Sequence, residues 1–544
     1  MSPGRRAIIN PIPRGRAMQP SPWIPGDDPF CDRAPRAGLL DRSIWAVRKR
    51  FWNALATFKF RHNKPVGVPV PRRDRRLDPV FLAEQFPGIP VSNILVADRV
   101  PADEALPLVD GFYWLQVMLY RLFPPMQRGL PPIDADPQRA LDEAYTLAHR
   151  RLFPAPRLPE EYRRPVDLGH IAVAGPYAFY LDRAPEGGFQ WDLRKLARYE
   201  HHAGLRSLGV RVLFGVDACA RRLRPTRIEC ELGVSVPGDE RWELAQKMAL
   251  CAVTTHLSLV RHFNWIHLAA GGPLAMATRN HLPPDHPLRR LLWPHVFHTQ
   301  FSNRIVTLGQ MAKGGDFETI FSFTHRGMCQ LYEEAYADYD AIVIDPAREA
   351  ERRGLLDAGF DTPTLANRLA HFEVMCRHAE RYLHVYYGSD RQLQEDVGFQ
   401  AWLDAWDRLV PNGVRKLLPE EITLDGAARL FGAIIYLVTV EHEAVGTGLW
   451  DYQMWTHVQP VRIYRNGQRE PLDVYQRLVN ANYNLNVHRT QLLTDFSYLA
   501  LDQRGAEVFQ QFRADLLALQ SRLEKEPPAR WKVYPTLLEA NINA

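Results

Sequence analysis

The stretch from Trp242 to Ala270 constrains the fold of this chain more than any other part of the sequence. It is rich in apolar residues and contains neither Gly nor Pro. An uninterrupted apolar run of that length is typical of a buried helix and is much longer than a strand. Within it, His262 and His267 lie five positions apart in the segment HFNWIH.

The spacing of these two histidines has a geometric consequence. In a regular α-helix, five residues leave two side chains roughly 140° apart, too far round the helix to bind one metal ion. A π-type turn, with hydrogen bonds between residues i and i+5, would bring both imidazoles onto one face, and such turns often mark functional sites. Two interpretations follow: the histidines are unrelated core residues, or the helix is deformed and both are metal ligands.

Composition sets limits on function and location. The 544 residues carry a net charge of +5, with 24% charged and 46% hydrophobic residues. These values are ordinary for a globular protein and do not favour binding to nucleic acid. The six cysteines lack C-x-x-C spacing, and the N-terminus has no apolar signal sequence. We therefore expect free thiols in a reducing compartment and a cytoplasmic location.

The first part of the chain, residues 1–75, differs in composition from the rest. Residues 1–37 are rich in Pro and Arg, which predicts an extended arm. From Leu40 onward apolar residues recur every three or four positions with Arg and Lys between them, which predicts a basic amphipathic helix. We expect this helix to pack on the main domain, residues 76–544. The alternative is peripheral contact with a membrane through residues 40–61.

The periodicity changes twice along the remaining chain. Between residues 168 and 240, three segments with β-branched or aromatic residues, bounded by Gly, Pro or Asp, predict strands of a small sheet. These segments are His170–Leu181, Arg211–Val216 and Arg227–Val236. After Asn303 helical patterns dominate. The sequence therefore predicts a mainly α fold with a small β-sheet region.

Several motifs together resemble those of lipoxygenases, the non-haem iron dioxygenases of polyunsaturated fatty acids. The W-x-L-A segment at Trp242, the H-x4-H pair and the H-P-L-x-x-L-L-x-P-H segment His286–His295 match that family in order and approximate spacing. The YYGSD segment Tyr386–Asp390 and the QAW segment Gln400–Trp402 are similar as well. The resemblance implies a lipoxygenase-like helical catalytic domain over residues 76–544, in a compact form without the N-terminal β-barrel, as in many bacterial members.

The resemblance also implies a set of metal ligands. His262, His267 and His442 stand where lipoxygenases have three iron-binding histidines. The segment LEANINA aligns without a gap on the family's C-terminal heptad, whose terminal carboxylate binds iron, and this places Ala544 in the ligand set. Where the family usually has a further Asn or His ligand, this chain has Gly446, which has no side-chain donor atom. Water is the expected substitute there.

In the family that this chain resembles, the metal carries the chemistry. A metal-bound hydroxide takes a hydrogen atom from the methylene between two cis double bonds, and O2 then adds to the radical, so no side chain acts as acid, base or nucleophile. The implied cofactor is non-haem iron, with manganese as the alternative, because imidazole and carboxylate ligands suit both ions. The implied partners are O2 and a lipid or another unsaturated small molecule.

One predicted pocket residue departs from the family pattern. Many lipoxygenases have Ala or Gly three residues after the Asn equivalent to Asn303, whereas this chain has Val306. A larger side chain narrows the space beside the reacting carbons, which predicts altered regiochemistry or a different substrate.

The leading functional hypothesis is an oxygenase that converts an unsaturated fatty acid or related lipid into a hydroperoxide. Gly446 and Val306 keep two alternatives open. One is a divergent enzyme on the same fold that oxidises a substrate other than a fatty acid. The other is a non-catalytic protein that binds lipid or a partner on the same scaffold. Three retained histidines and an aligned C-terminus favour an enzyme, since a scaffold has no physical need for them.

Overall fold

The structure is a computed structural model of the chain. It describes residues 68–105, 166–446, 450–471, 490–526 and 532–542, together with residues 47, 136, 138–140, 473–475, 477, 478 and 481. The arm predicted at residues 1–37 and Ala544 lie outside the described residues. So does the helix predicted from Leu40, apart from Val47, which is helical and exposed.

One long helix runs through the buried interior. The α-helix α3 (Trp242–His256) continues into a π-helical segment, π1 (Leu257–Gly271), and then into α4 (Gly272–His281) without a break in helical backbone angles. Nearly every side chain from Ala245 to Thr278 is buried. The buried helix predicted for this stretch is therefore present, with a π-type deformation in its middle.

Helices also account for the largest share of the remaining described chain. The short helices α1 (Leu82–Gln85) and α2 (Leu168–Ile171) precede the long helix. Those that follow are α5 (Pro287–Val296), α6 (Thr299–Val306), π2 (Thr307–Met311), α7 (Asp316–Ile320), α8 (His325–Ala337), α9 (Pro346–Arg352), α10 (Pro363–Tyr386), α11 (Asp390–Gln394), α12 (Val397–Leu409), α13 (Leu424–Tyr436), π3 (Leu437–Glu441), α14 (His442–Val445), α15 (Trp450–Gln453) and α16 (Gln503–Lys525).

Polar side chains determine where several of these helices begin. A side-chain oxygen at the position before the first helical residue accepts a hydrogen bond from a backbone N–H of the first turn, which would otherwise have no partner. Residues of this kind precede α8, α9, α12, α13 and α16: Thr324, Asp345, Asp396, Thr423 and Asp502.

The small sheet lies before the long helix in the sequence. Its five antiparallel strands follow chain order: β3 (Asp182–Arg183), β4 (Phe189–Asp192), β5 (Arg211–Asp217), β6 (Arg222–Cys230) and β7 (Gly233–Ser235). A separate pair joins β1 (Pro79–Phe81) to β2 (Leu95–Ala97). Phe189 pairs with Phe214 and Trp191 with Val212, and all four side chains are buried, so one face of the sheet supplies part of the core.

The strand predicted at His170–Leu181 is wrong. This segment contains the end of α2 and a 3₁₀ turn at Pro176–Tyr180. Asp167 caps α2 by accepting from two backbone N–H groups, and Gly175, with φ of 126°, separates the two turns. The segment is buried on several sides, and burial of that kind produces an apolar run without any strand. The other two predicted strands are present in β5, β6 and β7.

The most apolar part of the sequence, Phe431–Val440, lies in α13 and π3, and every one of its residues is buried. It packs inside the protein, where α13 runs along α10. Among the described helices, none combines the length and the apolar character that a membrane crossing requires.

Candidate metal centre

The π-helical segment π1 brings His262 and His267 onto one face of the long helix. Their Nε2 atoms are 3.3 Å apart and their ring centroids are 5.0 Å apart. The i→i+5 repeat of a π-helix explains this, because it aligns residues that a regular α-helix would separate. Of the two interpretations of the spacing, the deformed helix is the one found; the role of the two residues as ligands stays a prediction.

His442 joins this pair from a second helix. It is the first residue of α14, directly after π3, in a helix that begins at Leu424. Its Nε2 lies 3.2 Å from Nε2 of His267, and its ring centroid is 5.0 Å from that of His262. Three imidazoles from two helices therefore meet at one point: His262 and His267 lie within π1, and His442 directly follows π3.

Burial keeps at least two of these rings uncharged. Burial lowers the pKa of His267 to about 4, although the hydrogen bond that its ring donates to Asn303 opposes the shift. Burial, together with the nearby His267, holds the pKa of His262 well below its ordinary value. Near neutral pH both residues are neutral imidazoles, the form in which histidine binds metal ions.

Asn303 of α6 fixes the orientation of His267. Its Oδ1 lies 3.0 Å from Nδ1 of the ring, and its Nδ2 donates to the backbone oxygen of His267 at 2.9 Å. Because an amide oxygen only accepts, the proton of the neutral ring is on Nδ1. The Nε2 lone pair is then directed at the other two imidazoles, and metal-binding histidines are usually oriented by a partner of this kind.

The three residues fit a bound metal ion. Metal–imidazole distances of about 2.0–2.1 Å place neighbouring ligand atoms about 3 Å apart, and the two Nε2–Nε2 distances measured here are 3.2 and 3.3 Å. Nitrogen donors of this type suit iron and manganese as well as other divalent ions. Within the described part of the chain, one other group has ligand-like spacing, Glu380, His384 and Asp425, but all three are exposed.

Gly446 lies against the histidine cluster. A Cβ built on this residue would be 2.8 Å from Nε2 of His262 and 2.9 Å from the backbone oxygen of His442. No larger residue fits without moving one of them. The ring of His262 thus occupies space that a side chain at position 446 would need.

The last described segment, Leu538–Ile542, runs inside the protein. Backbone hydrogen bonds join Leu492 to Leu538 at 2.9 Å and Ala540 to Thr490 at 2.7 Å. His295 of α5 lies with its Nδ1 2.6 Å from the backbone oxygen of Ala540 and donates to it. The segment is therefore held from two sides by elements that are distant in the sequence.

This segment reaches the helix that carries two of the histidines. Ile542 is fully buried. A Cβ built on Gly271, at the end of π1, would overlap Cδ1 of Ile542 and lie 2.8 Å from the backbone oxygen of Ile266, so a larger residue would displace the end of the Ile542 side chain. The described chain thus runs to within two residues of Ala544 while still packed beside π1.

A buried ion pair connects the two helices that carry the histidines. Arg261 directly precedes His262, and Glu441 directly precedes His442. The guanidinium of Arg261 donates to Oε1 of Glu441 through Nη2 at 2.7 Å and through Nε at 3.0 Å. The side chains are 2% and 1% exposed. Because each partner is adjacent to a histidine, the pair links π1 to π3 at the level of the cluster.

Two further helices extend this ion pair into a network. Arg261 also donates to Glu349 of α9 at 2.9 Å, and Arg368 of α10 donates to Glu349 at 2.8 Å and to the hydroxyl of Tyr436 at 2.6 Å. Burial alone would raise the pKa of Glu349, but the nearby arginines, Arg353 among them, outweigh it and hold this pKa well below its usual range. The carboxylate is therefore ionised and paired.

The sequence reasoning missed this network, although the sequence contained a signal for it. Arg261 and Glu441 are charged residues inside helices predicted to be buried, and a buried charge requires a partner. The two residues are 180 positions apart. The pattern could therefore have indicated that each needs an opposite charge, but not which residue supplies it.

An open pocket lies beside the cluster, and its space of about 550 Å³ includes solvent at the mouth. His262, His267 and Gly446 form part of its wall. Most of the remaining lining is apolar and includes Phe263, Val306, Phe317, Ile320 and Phe321. The two residues singled out as departures from the family pattern, Gly446 and Val306, thus both border the space next to the three imidazoles.

Comparison with known proteins finds similarity to one family. Residues 232–492, just under half of the chain, match the family model described as lipoxygenase. These residues form a lipoxygenase domain. Linoleate 9S-lipoxygenase 2 of rice (Oryza sativa subsp. japonica) is 26% identical over 341 residues, which is 54% of this chain and 38% of the rice protein. Polyunsaturated fatty acid lipoxygenase ALOX15 of cattle (Bos taurus) is 26% identical over 304 residues, 49% of this chain and 44% of the relative. The chain thus matches less than half the length of either relative.

Solved lipoxygenase structures have the same fold. The crystal structure of the coral 8R-lipoxygenase aligns with a TM-score of 0.70 over 92% of this chain and 82% of that chain, at 14% identity. A lipoxygenase variant, Delta413-417:GS, aligns with a TM-score of 0.71 over the same shares. At this identity the likeness concerns the fold alone. The predicted lipoxygenase-like helical fold with a small β-sheet is confirmed.

Proposed function

We propose that this chain is a lipoxygenase-like dioxygenase that acts on an unsaturated fatty acid or a related lipid. The convergence of His262, His267 and His442 beside an apolar pocket is the observation that carries the proposal. The lipoxygenase domain supports it independently, because residues 232–492 contain all three histidines.

The three histidines would hold a non-haem iron, with manganese as the alternative. Such an ion supplies the one-electron oxidation that removes a hydrogen atom from the methylene between two double bonds. The protein supplies orientation and an environment that excludes water. Phe263 and Phe317 contribute apolar walls to the pocket that the histidines border, which suits a hydrocarbon chain more than a charged substrate.

We also propose the terminal carboxylate of Ala544 as a fourth ligand. Support comes from Ile542, which is buried against Gly271 at the end of π1, two residues before Ala544. Two extended residues span up to about 7 Å, so the carboxylate is within reach of the surroundings of π1. A carboxylate would also partly balance the positive charge of the ion, which three neutral imidazoles do not.

Metal content and oxygen uptake test the proposal together. The purified chain, reconstituted with Fe²⁺, should bind about one ion per chain and should consume O2 with linoleate while absorbance from a conjugated diene appears. His267→Ala should lose both properties. The matched control is His256→Ala, since His256 is a partly buried residue at the end of α3 whose Nδ1 bonds Tyr180.

Three outcomes separate the hypotheses. A protein that binds iron and oxygenates linoleate agrees with the proposal. A protein that binds iron but leaves linoleate unchanged favours a divergent enzyme with another substrate, as Val306 and Gly446 suggested from the sequence. A protein that binds no iron or manganese would contradict the proposal and favour the non-catalytic alternative.

A further inference from the structure

One polar side chain in the pocket is available for a ligand. Gln310 belongs to π2 and lines the pocket together with His262 and His267. It is only 5% exposed. Its side-chain amide makes no hydrogen bond with the described part of the chain, whereas buried amides are almost always paired.

The other uncharged polar side chains in the pocket lining are already paired. Nε2 of Gln453 donates to Oγ of Ser258 at 2.9 Å. Around them the wall is formed by aromatic and aliphatic side chains. Among the described residues, the amide of Gln310 is therefore an unpaired polar group in a mostly apolar surface, in the same pocket wall as the imidazoles proposed to hold the metal.

We infer that Gln310 binds a neutral oxygen substituent on the lipid chain, close to the position where that chain passes the metal centre. The inference rests on the proposed function and narrows its substrate class to lipids that carry a hydroxyl or carbonyl group within the chain. A plain hydrocarbon segment at this point leaves the amide without a partner, which disfavours its binding. An oxygen atom at the matching carbon restores the hydrogen bond.

The chemistry of the amide favours a hydroxyl most. The side chain offers two N–H donors and one acceptor oxygen, and a hydroxyl group both donates and accepts. The amide is uncharged, so it gives no preference for an ionised carboxylate. Gln310 is thus a specificity-determining residue for the middle of the substrate, separate from any group that holds the substrate's carboxyl end.

Binding of matched lipids tests the role of Gln310 without any turnover. The probes are oleate and a set of 18-carbon acids with the same double bond and one hydroxyl at different positions, such as 12-hydroxyoleate. Their dissociation constants would be measured by calorimetry on the full metal-loaded chain and on Gln310→Met, which keeps the length of the side chain but removes its hydrogen-bonding atoms. Gln503→Met, at an exposed position of α16, is the control.

We expect at least one hydroxylated acid to bind the unaltered chain roughly tenfold more tightly than oleate. This preference should disappear in Gln310→Met and persist in Gln503→Met. Equal binding of all the acids, or a preference that survives in Gln310→Met, would overturn the inference. If the inference fails in this way while oxygen uptake with linoleate is intact, the proposed function still stands. If no lipid binds at all, the inference and the proposed function are both overturned.

Discussion

Asn303 acts on the candidate metal centre through a single histidine. It contacts both the ring and the backbone oxygen of His267 and so fixes the direction of the Nε2 lone pair. We expect Asn303→Ala to lower metal affinity by roughly 10- to 100-fold, since loss of a group that orients a ligand has an effect of that size. Competition with a chelator of known affinity measures it.

The control for this variant is a partly buried asparagine with a similar pair of hydrogen bonds. Asn280 of α4 makes a similar pair of hydrogen bonds, to the backbone N and O of Leu77, but it contacts none of the three histidines. Asn280→Ala should lower stability without changing metal affinity. Equal losses of metal in the two variants would mean that Asn303 acts through folding and has no specific effect on His267.

Val306 borders the pocket beside the candidate metal centre. It is 7% exposed and lines the pocket with His262 and His267. Val306→Ala removes two methyl groups from this wall, and we expect a changed ratio of positional hydroperoxide isomers. Chromatography of the products from linoleate measures the ratio. An unchanged product profile would show that this wall does not control where oxygen adds.

At the scale of elements, the Arg261–Glu441 pair holds π1 and π3 together. Glu441→Gln removes one charge but keeps the shape of the side chain. Breaking a buried ion pair by neutralising one partner typically costs about 3–5 kcal/mol, since the other charge stays buried. We expect a loss of this order in the free energy of unfolding, together with weaker metal binding. Urea denaturation and metal titration measure the two effects.

A double variant separates charge from packing. Arg261→Met combined with Glu441→Leu removes both charges and should recover part of the stability lost in Glu441→Gln, because apolar residues often replace a buried pair without loss. The exposed pair of Glu373 and Arg377 on α10 is the control, and Glu373→Gln should have little effect. A double variant less stable than Glu441→Gln would show that the pair stabilises the fold by more than charge balance.

The segment Leu538–Ile542 allows a test of the proposed fourth ligand. One glycine added after Ala544 moves the terminal carboxylate by up to about 3.8 Å. We expect a lower affinity for iron and a loss of oxygen uptake. Ala544→Gly keeps the carboxylate in place and is the matched control. Full metal affinity in the extended chain would remove Ala544 from the ligand set.

At the scale of the whole molecule, the sequence predicted those structural features that depend on the pattern of neighbouring residues. The long apolar run predicted the central helix, and the spacing of His262 and His267 raised the π-helix as one of two interpretations. The strand predicted at His170–Leu181 is wrong because burial on several sides produces the same apolar pattern as a strand. The network around Glu349 could not be predicted, because its partners come from helices far apart in the chain and only the fold brings them together.

Several buried or partly buried histidines predict sensitivity to acid. Burial lowers the pKa of His256 to about 3 and those of His295 and His371 to about 4. Between the ordinary histidine value of about 6.5 and these values, the unfolded chain binds more protons than the folded chain. The free energy of unfolding should therefore fall as pH decreases from 6.5 towards 4, by about 1.4 kcal/mol per pH unit for each such residue.

One substitution isolates part of this dependence. His371 is fully buried, and its Nε2 has no hydrogen-bond partner among the described residues. His371→Phe should therefore fold. It should reduce the slope of the free energy of unfolding against pH by the contribution of about one proton. Urea denaturation at a series of pH values measures the slope. His384→Phe, at an exposed position on the same helix, is the control. A slope that does not change in His371→Phe would exclude this residue as a source of the acid sensitivity.

The contact between Gly271 and Ile542 also has a consequence for how the protein is made. About 270 residues separate the two, so the helix with His262 and His267 leaves the ribosome long before the segment that packs on it. At synthesis rates of about 5–20 residues per second, the interval is on the order of tens of seconds. During that time the growing chain presents His262, His267 and the surface at Gly271 that Ile542 later covers, so the candidate metal centre is accessible before this segment packs against it.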